Sequence, residues 1–192
     1  MEKTFFALLA FALIPLLWTA QTATAGDKPF PEKVPVLNGT SAEGFAIGRG
    51  TTAYNGSPDG SIYKVDLRSG QGEVLVPVQD PEDCFLLGMR VDRRTNNLFV
   101  AGCYRGNAFV FDTDSGGVKM EYQLDSSGGA LINDLAITED AVYFTDADLD
   151  GVASGAFHGN SLYVNNARYL LDFPPTADDE FWITKLKIRP LK

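Results

Sequence analysis

Histidine is almost missing from this chain of 192 residues; His158 is its single copy. One imidazole makes neither a zinc cluster nor, by itself, a catalytic triad. In "AFHGN", between a strand and a Gly-Asn turn, it reads as a turn residue. Cysteine is nearly as scarce, with Cys84 and Cys103 alone, so there is no C-x-x-C motif. Basic clusters are missing too. Sixteen Lys and Arg against 25 Asp and Glu give a formal charge of −9. That balance argues against nucleic acid or an anionic membrane surface as a partner. No apolar run is long enough to cross a membrane, since Phe5–Leu17 is short and interrupted by Pro15. G-x-S-x-G, H-E-x-x-H and phosphate-loop motifs are absent. "GRGTTA" (Gly48–Ala53) mimics a dinucleotide fingerprint, but it leads into a short strand and not into the helix whose N-terminus would hold a phosphate.

What is present begins with a leader-like segment. Lys3, the apolar run and the small residues of "ATA" at Ala23–Ala25 predict a secretory signal over residues 1–25 and an extracellular product free of the membrane. Removing 25 of 192 residues leaves 167 in a domain spanning 26–192, enough for one core. In a secreted chain, Cys84 and Cys103 are either a disulfide or two separate thiols. They flank one end of a predicted hairpin, so a bridge is geometrically possible. Asn38-Gly-Thr and Asn55-Gly-Ser are glycosylation sequons that read equally well as turns.

After Gly26 no stretch has helical periodicity. Short runs rich in Val, Ile, Tyr and Phe alternate with Gly, Asp, Asn and Ser, the all-β signature. Phe45–Ile47, Ala53–Tyr54, Ile62–Leu67 and Glu73–Val76 make one set of four strands; Met89–Val91, Leu98–Ala101, Ala108–Asp112 and Val118–Leu124 make a second. "IYKVDLRSG" from Ile62 matches "AFVFDTDSG" from Ala108 at an offset of 46, placing Asp66 on Asp112 and Gly70 on Gly116. Asp-x-x-x-Gly turns the third strand into the fourth. Four short strands in a period of about 40–50 residues mark a β-propeller blade. A third set opens as a hairpin over 132–145 with a turn at Glu139–Asp140, and there the spacing fails. "GVASGAFHGNSLYVNN" starts another first hairpin, with Leu162 only 20 positions after Val142. The expectation is an incomplete propeller of roughly three and a half to four blades: an internal deletion near 146–151, a last blade over 152–192, and a closing strand Phe181–Ile188 without fourth-blade neighbours.

"AEGFAIGRGTTAYNGSPDGSIYKVDLRSGQGEVLVP", "LGMRVDRRTNNLFVAG", "INDLAITEDAVYFTDA" and "LYVNNARYLLDFPPTADDEFWITKL" together resemble the regucalcin/gluconolactonase family of six-bladed propellers, over nearly all of Ser41–Leu186. Relative to that family the chain lacks about two blades between "YFTDA" and "LYVNN". The resemblance implies calcium or another divalent cation in a central channel, and metal-assisted hydrolysis of a small lactone or ester. Glu43 resembles a metal-ligand glutamate. Asn133 resembles an asparagine near both metal and substrate, and Asp134 is its orienting neighbour on the substrate side. The family's later ligands would fall in the missing block, so the metal site is expected to be weak or absent. No catalytic residue is assigned.

"DADLDG" (Asp146–Gly151) opens like a calcium loop, yet Phe157 stands where its bidentate Glu belongs, and an acidic turn is the better reading. Two functional expectations follow. One is a secreted gluconolactonase-like protein with ancestral hydrolase activity. The other is a non-catalytic truncated propeller that binds or self-associates, because an open propeller exposes blade faces and strand edges.

Overall fold

A computed structural model describes residues 29–35, 43–57, 59–78, 86–102, 104, 106–126, 130–147, 152–159, 161–166 and 182–187. Among them every regular element is a strand, and the strands form four antiparallel sheets. The first sheet is β1 (Phe45–Ile47), β2 (Thr52–Gly56), β3 (Ile62–Asp66) and β4 (Gly72–Val76) in spatial order. The second repeats that order with β5 (Leu86–Asp92), β6 (Asn97–Gly102), β7 (Asn107–Asp112) and β8 (Val118–Gln123). Among the described residues the third sheet has two strands, β9 (Ile132–Ile137) and β10 (Val142–Asp146). The fourth has three: β11 (Val152–His158), β12 (Ser161–Asn166) and β13 (Trp182–Lys187). Among the described residues the sheets do not close into a ring.

Local chemistry explains the connections. Asp66 Oδ1 accepts from the backbone N–H of Arg68 at 3.1 Å and of Ser69 at 2.7 Å, and Gly70 N–H returns to the Asp66 carbonyl at 2.8 Å. One period later, Asp112 Oδ1 accepts from Asp114 N–H at 3.0 Å and Ser115 N–H at 2.9 Å, and Gly116 N–H reaches the Asp112 carbonyl at 2.9 Å. Gly70 and Gly116 sit at φ of +73° and +71°, the left-handed conformation glycine adopts without cost. The Asp-x-x-x-Gly signature thus makes the same turn twice. At Glu139–Asp140, Thr138 closes the turn: its N–H donates to the Ala141 carbonyl at 2.8 Å, and its hydroxyl accepts from Ala141 N–H at 3.0 Å.

The sheets pack through their first strands, β1 against β5, β5 against β9, and β9 against β11. Between the first two sheets lies a buried cluster of Ala46, Tyr54, Ile62, Leu75 and Val76 with Leu86, Met89, Leu98, Val100 and Phe111. A second cluster joins the next pair, with Ala101 and Phe99 on one side and Ile132, Leu135, Val142 and Phe144 on the other. Tyr143 points to the opposite face of β10, where its ring meets Phe157 of β11 edge-on at 5.1 Å. The third sheet is therefore covered on both faces. The closing strand differs from expectation. β13 pairs along its whole length with β12, from Ser161↔Lys187 to Asn166↔Trp182, so this sheet supplies its own neighbour.

Candidate functional site

Glu43, Asn133 and Asp134 stand just before or at the start of the first strands of their sheets. Glu43 precedes β1, is exposed, and donates its backbone N–H to the Gly56 carbonyl at 3.3 Å. Asn133 and Asp134 are the second and third residues of β9. The two places are equivalent. A Cβ at Gly44 would collide with the Leu87 carbonyl oxygen, and one at Gly88 would lie 2.8 Å from the Asn133 carbonyl oxygen. Glu43-Gly44, Leu87-Gly88 and Asn133-Asp134 thus occupy one position in three successive sheets, and the middle member offers no side-chain oxygen.

Asp134 is the most constrained acid of this group. Its side chain is 13% exposed, and Arg90 Nη2 lies 3.4 Å from each of its oxygens. Oδ2 accepts a long hydrogen bond from that guanidinium, while the buried Oδ1 accepts none. Burial pushes its carboxyl above the ordinary range, opposed by the Leu135 backbone N–H and by Arg90. Gly88 is what lets the carboxylate in, because a Cβ there would lie 2.6 Å from the Asp134 Cα. The backbone N–H of Asp134 donates to Thr145 Oγ1 at 3.0 Å, which holds the start of β9 against β10.

Calcium takes about six to eight hard oxygens. Among the described residues, the equivalent positions provide side-chain oxygen from Glu43 and Asn133 only. Asp134 faces Arg90, and no three His, Cys, Asp or Glu side chains converge. Among the described residues this donor set falls short of the roughly six to eight oxygens that calcium takes. Asp146 Oδ1 accepts from Leu131 N–H at 3.0 Å and so caps the hairpin. Residues 148–151 of the calcium-like run lie outside the described residues, as do the leader, Asn38, Cys84 and Cys103. Asn55 is buried in β2 and donates Nδ2 to the Gly56 carbonyl at 3.0 Å, so a glycan on that nitrogen would have to be accommodated inside the fold.

Sequence reading missed a second feature at the far ends of the same strands. Arg49, in the β1–β2 turn, donates to the Arg93 carbonyl at 2.7 and 3.1 Å and to the Arg94 carbonyl at 3.3 Å. Arg94 does the same one sheet on, donating to the Thr138 carbonyl at 3.1 Å and the Glu139 carbonyl at 2.6 Å. Arg94 also grips Asp92 through both carboxylate oxygens, at 3.0 and 3.2 Å, and that contact holds the Asp92 carboxyl below its ordinary range. The recurrence of Arg in the first two hairpin turns, about 45 positions apart, was the available signal. Glu139 ends the series. An open cleft of about 460 Å³ lies beside this staple, between Asp92, Arg94, Ile137 and Thr138. The Asp92 and Arg94 charges that line it are already paired with one another.

No family model matches the chain, and no curated protein matches it. Among solved structures it is similar to a crystal structure of the computationally designed Ika8 protein. That likeness has 15% identity and a TM-score of 0.49, and covers 65% of this chain and 42% of the designed one.

Proposed function

We propose that this chain is a partial β-propeller on the gluconolactonase-like plan, secreted, and acting as a non-catalytic binding module. Repeating four-stranded sheets packed through their first strands support the propeller reading. One observation carries the functional half: Glu43, Leu87 and Asn133 share one strand-start position, so the middle sheet contributes a methyl-bearing side chain where a divalent-cation site needs oxygen. Ancestral lactone or ester hydrolysis then survives as position without chemistry. The remaining carboxylate, Asp134, is committed to Arg90.

Calcium titration tests this directly. Millimolar calcium is expected to leave the melting temperature unchanged, and lactone and aryl-ester substrates are expected to hydrolyse at the uncatalysed rate. A saturable calcium-dependent rise in melting temperature that Glu43→Ala abolishes would restore the hydrolase reading.

A further inference from the structure

Asn55-Gly56 is a chemically labile pair held in the middle of the first sheet. In an open chain, glycine after asparagine lets the backbone nitrogen swing onto the preceding side chain. That nitrogen loses its proton and attacks the asparagine Cγ, the bond from Cγ to Nδ2 breaks, and ammonia leaves. Water then opens the resulting succinimide at either carbonyl. One product is aspartate. The other is isoaspartate, whose backbone runs through the side-chain carbon and is one methylene longer.

The fold opposes each part of this step. β2 is an inner strand, and Asn55 pairs with Phe45 of β1 on one side and with Tyr63 of β3 on the other. Closing a five-membered ring turns the 55–56 peptide out of the extended conformation that this double pairing imposes. The attacking nitrogen is engaged, since Gly56 N–H donates to the Gly44 carbonyl at 2.9 Å. The leaving group is engaged too. Asn55 Nδ2 donates to the Gly56 carbonyl at 3.0 Å, and the same carbonyl accepts from Glu43 N–H at 3.3 Å. Asn55 is 6% exposed, so little water reaches it. The glycine itself is dictated by packing. A Cβ at Gly56 would lie 2.8 Å from Met89 Cε and 3.0 Å from the Leu86 carbonyl oxygen, both in β5 of the next sheet. Contact between the first two sheets therefore requires the residue that makes Asn55 labile.

We propose that Asn55 is a deamidation site that folding switches off, and that its modification after unfolding makes loss of the first sheet irreversible. The products account for the second half. Aspartate puts a carboxylate oxygen against the Gly56 carbonyl at a buried place where Nδ2 now donates. Isoaspartate inserts a backbone atom into β2 and shifts its register against both neighbours. How often β1 and β2 part then sets the lifetime of the chain.

Peptide mapping by mass spectrometry tests this on the full chain at pH 8, with a synthetic peptide of residues 51–61 as the unprotected reference. Asn55 is expected to convert to aspartate and isoaspartate at least tenfold more slowly in the folded chain than in the peptide, and at the peptide's rate in urea. Equal rates in the folded chain and the peptide overturn the proposal. A glycan on Asn55 also overturns it, because Nδ2 would then not be held in β2. Chain deamidated in urea and returned to buffer should not regain slow hydrogen exchange at Ala53–Gly56, whereas chain unfolded only briefly should regain it. Regain by the deamidated chain overturns the irreversibility. Asn55→Asp, made directly, needs no refolding step and should melt below wild type at pH 8; an unchanged melt overturns the fate assigned to the aspartate product.

Discussion

Three aspartates respond to acid in two opposite ways. The Asp66 carboxyl is lowered to about 2, chiefly by the Thr51 hydroxyl and then by the Ser69 backbone N–H. The Asp112 carboxyl is also pushed well down, first by Lys119 at 2.7 Å and then by the Ser115 and Asp114 backbone N–H groups. A carboxyl held lower in the folded chain than in the unfolded one contributes stability that is complete above its ordinary value of 3.8 and is lost as pH falls toward its folded value. Both groups are on the surface, so salt screens part of the effect. Asp134 has the other sign. Its raised folded value makes burial a cost at neutral pH that is relieved as the group takes up a proton. Thermal melts across pH should therefore find Asp66→Asn and Asp112→Asn less stable than wild type at pH 7, with the gap narrowing from about pH 4 to 2. Asp134→Asn should melt higher than wild type at pH 8, with its advantage shrinking toward pH 4. A pH-independent difference in either case would refute the assignment.

At the scale of elements, the turns carry as much specification as the strands. Gly50 and Gly116 both have positive φ, +59° and +71°, but their surroundings differ. A Cβ at Gly50 meets nothing within 4 Å, whereas one at Gly116 collides with the Leu75 backbone carbonyl of the neighbouring sheet. Gly50→Ala should cost about 1 kcal/mol, the left-handed penalty alone. Gly116→Ala should cost distinctly more, because that carbonyl can give way only by separating two packed sheets. Urea denaturation of the two variants checks this, and equal losses would mean that the β7–β8 turn does not bear on the first sheet. Within the core, Leu98 is fully buried between sheets, and Leu98→Ala should cost about 2–5 kcal/mol.

At the scale of the whole molecule, stability depends on how one sheet is tied to the next. Arg49 and Arg94 bridge consecutive hairpin turns by donating to backbone carbonyls, and Glu139 cannot continue the series. Arg94→Lys should free the β9–β10 hairpin because an ammonium cannot reach Asp92 and two carbonyls in the same fork. Faster hydrogen exchange confined to Thr138–Val142, with the first sheet unchanged, is the expected result, and uniform acceleration would show that the staple is not local. Met120 and Tyr122 of β8 are exposed, and the neighbouring third sheet has two strands among the described residues.

Most strands were legible by themselves. Alternation and β-branched runs located β1 through β10 to within a few residues, and Asp66, Gly70, Asp112 and Gly116 announced two turns by chemistry confined to five residues. The hairpin read in "GVASGAFHGNSLYVNN" is present as β11–β12. The partner of β13 was not legible, because pairing across a connection from Asn166 to Trp182 depends on where the chain returns and not on local pattern. Nor was the fate of the candidate site. Glu43, Asn133 and Asp134 could be named from sequence, and the offset of 46 places Asp134 on Gly88, but that Gly44 meets Leu87 and that Arg90 meets Asp134 are contacts made between sheets. Sequence by itself determined what hydrogen bonds and side-chain alternation dictate within one hairpin. Tertiary structure alone decided which equivalent residues are covered: Val76, paired with Ile62, is buried against the second sheet, while Tyr122, 46 positions on and paired with Ala108, is exposed, because burial depends on packing between sheets and not on local pattern.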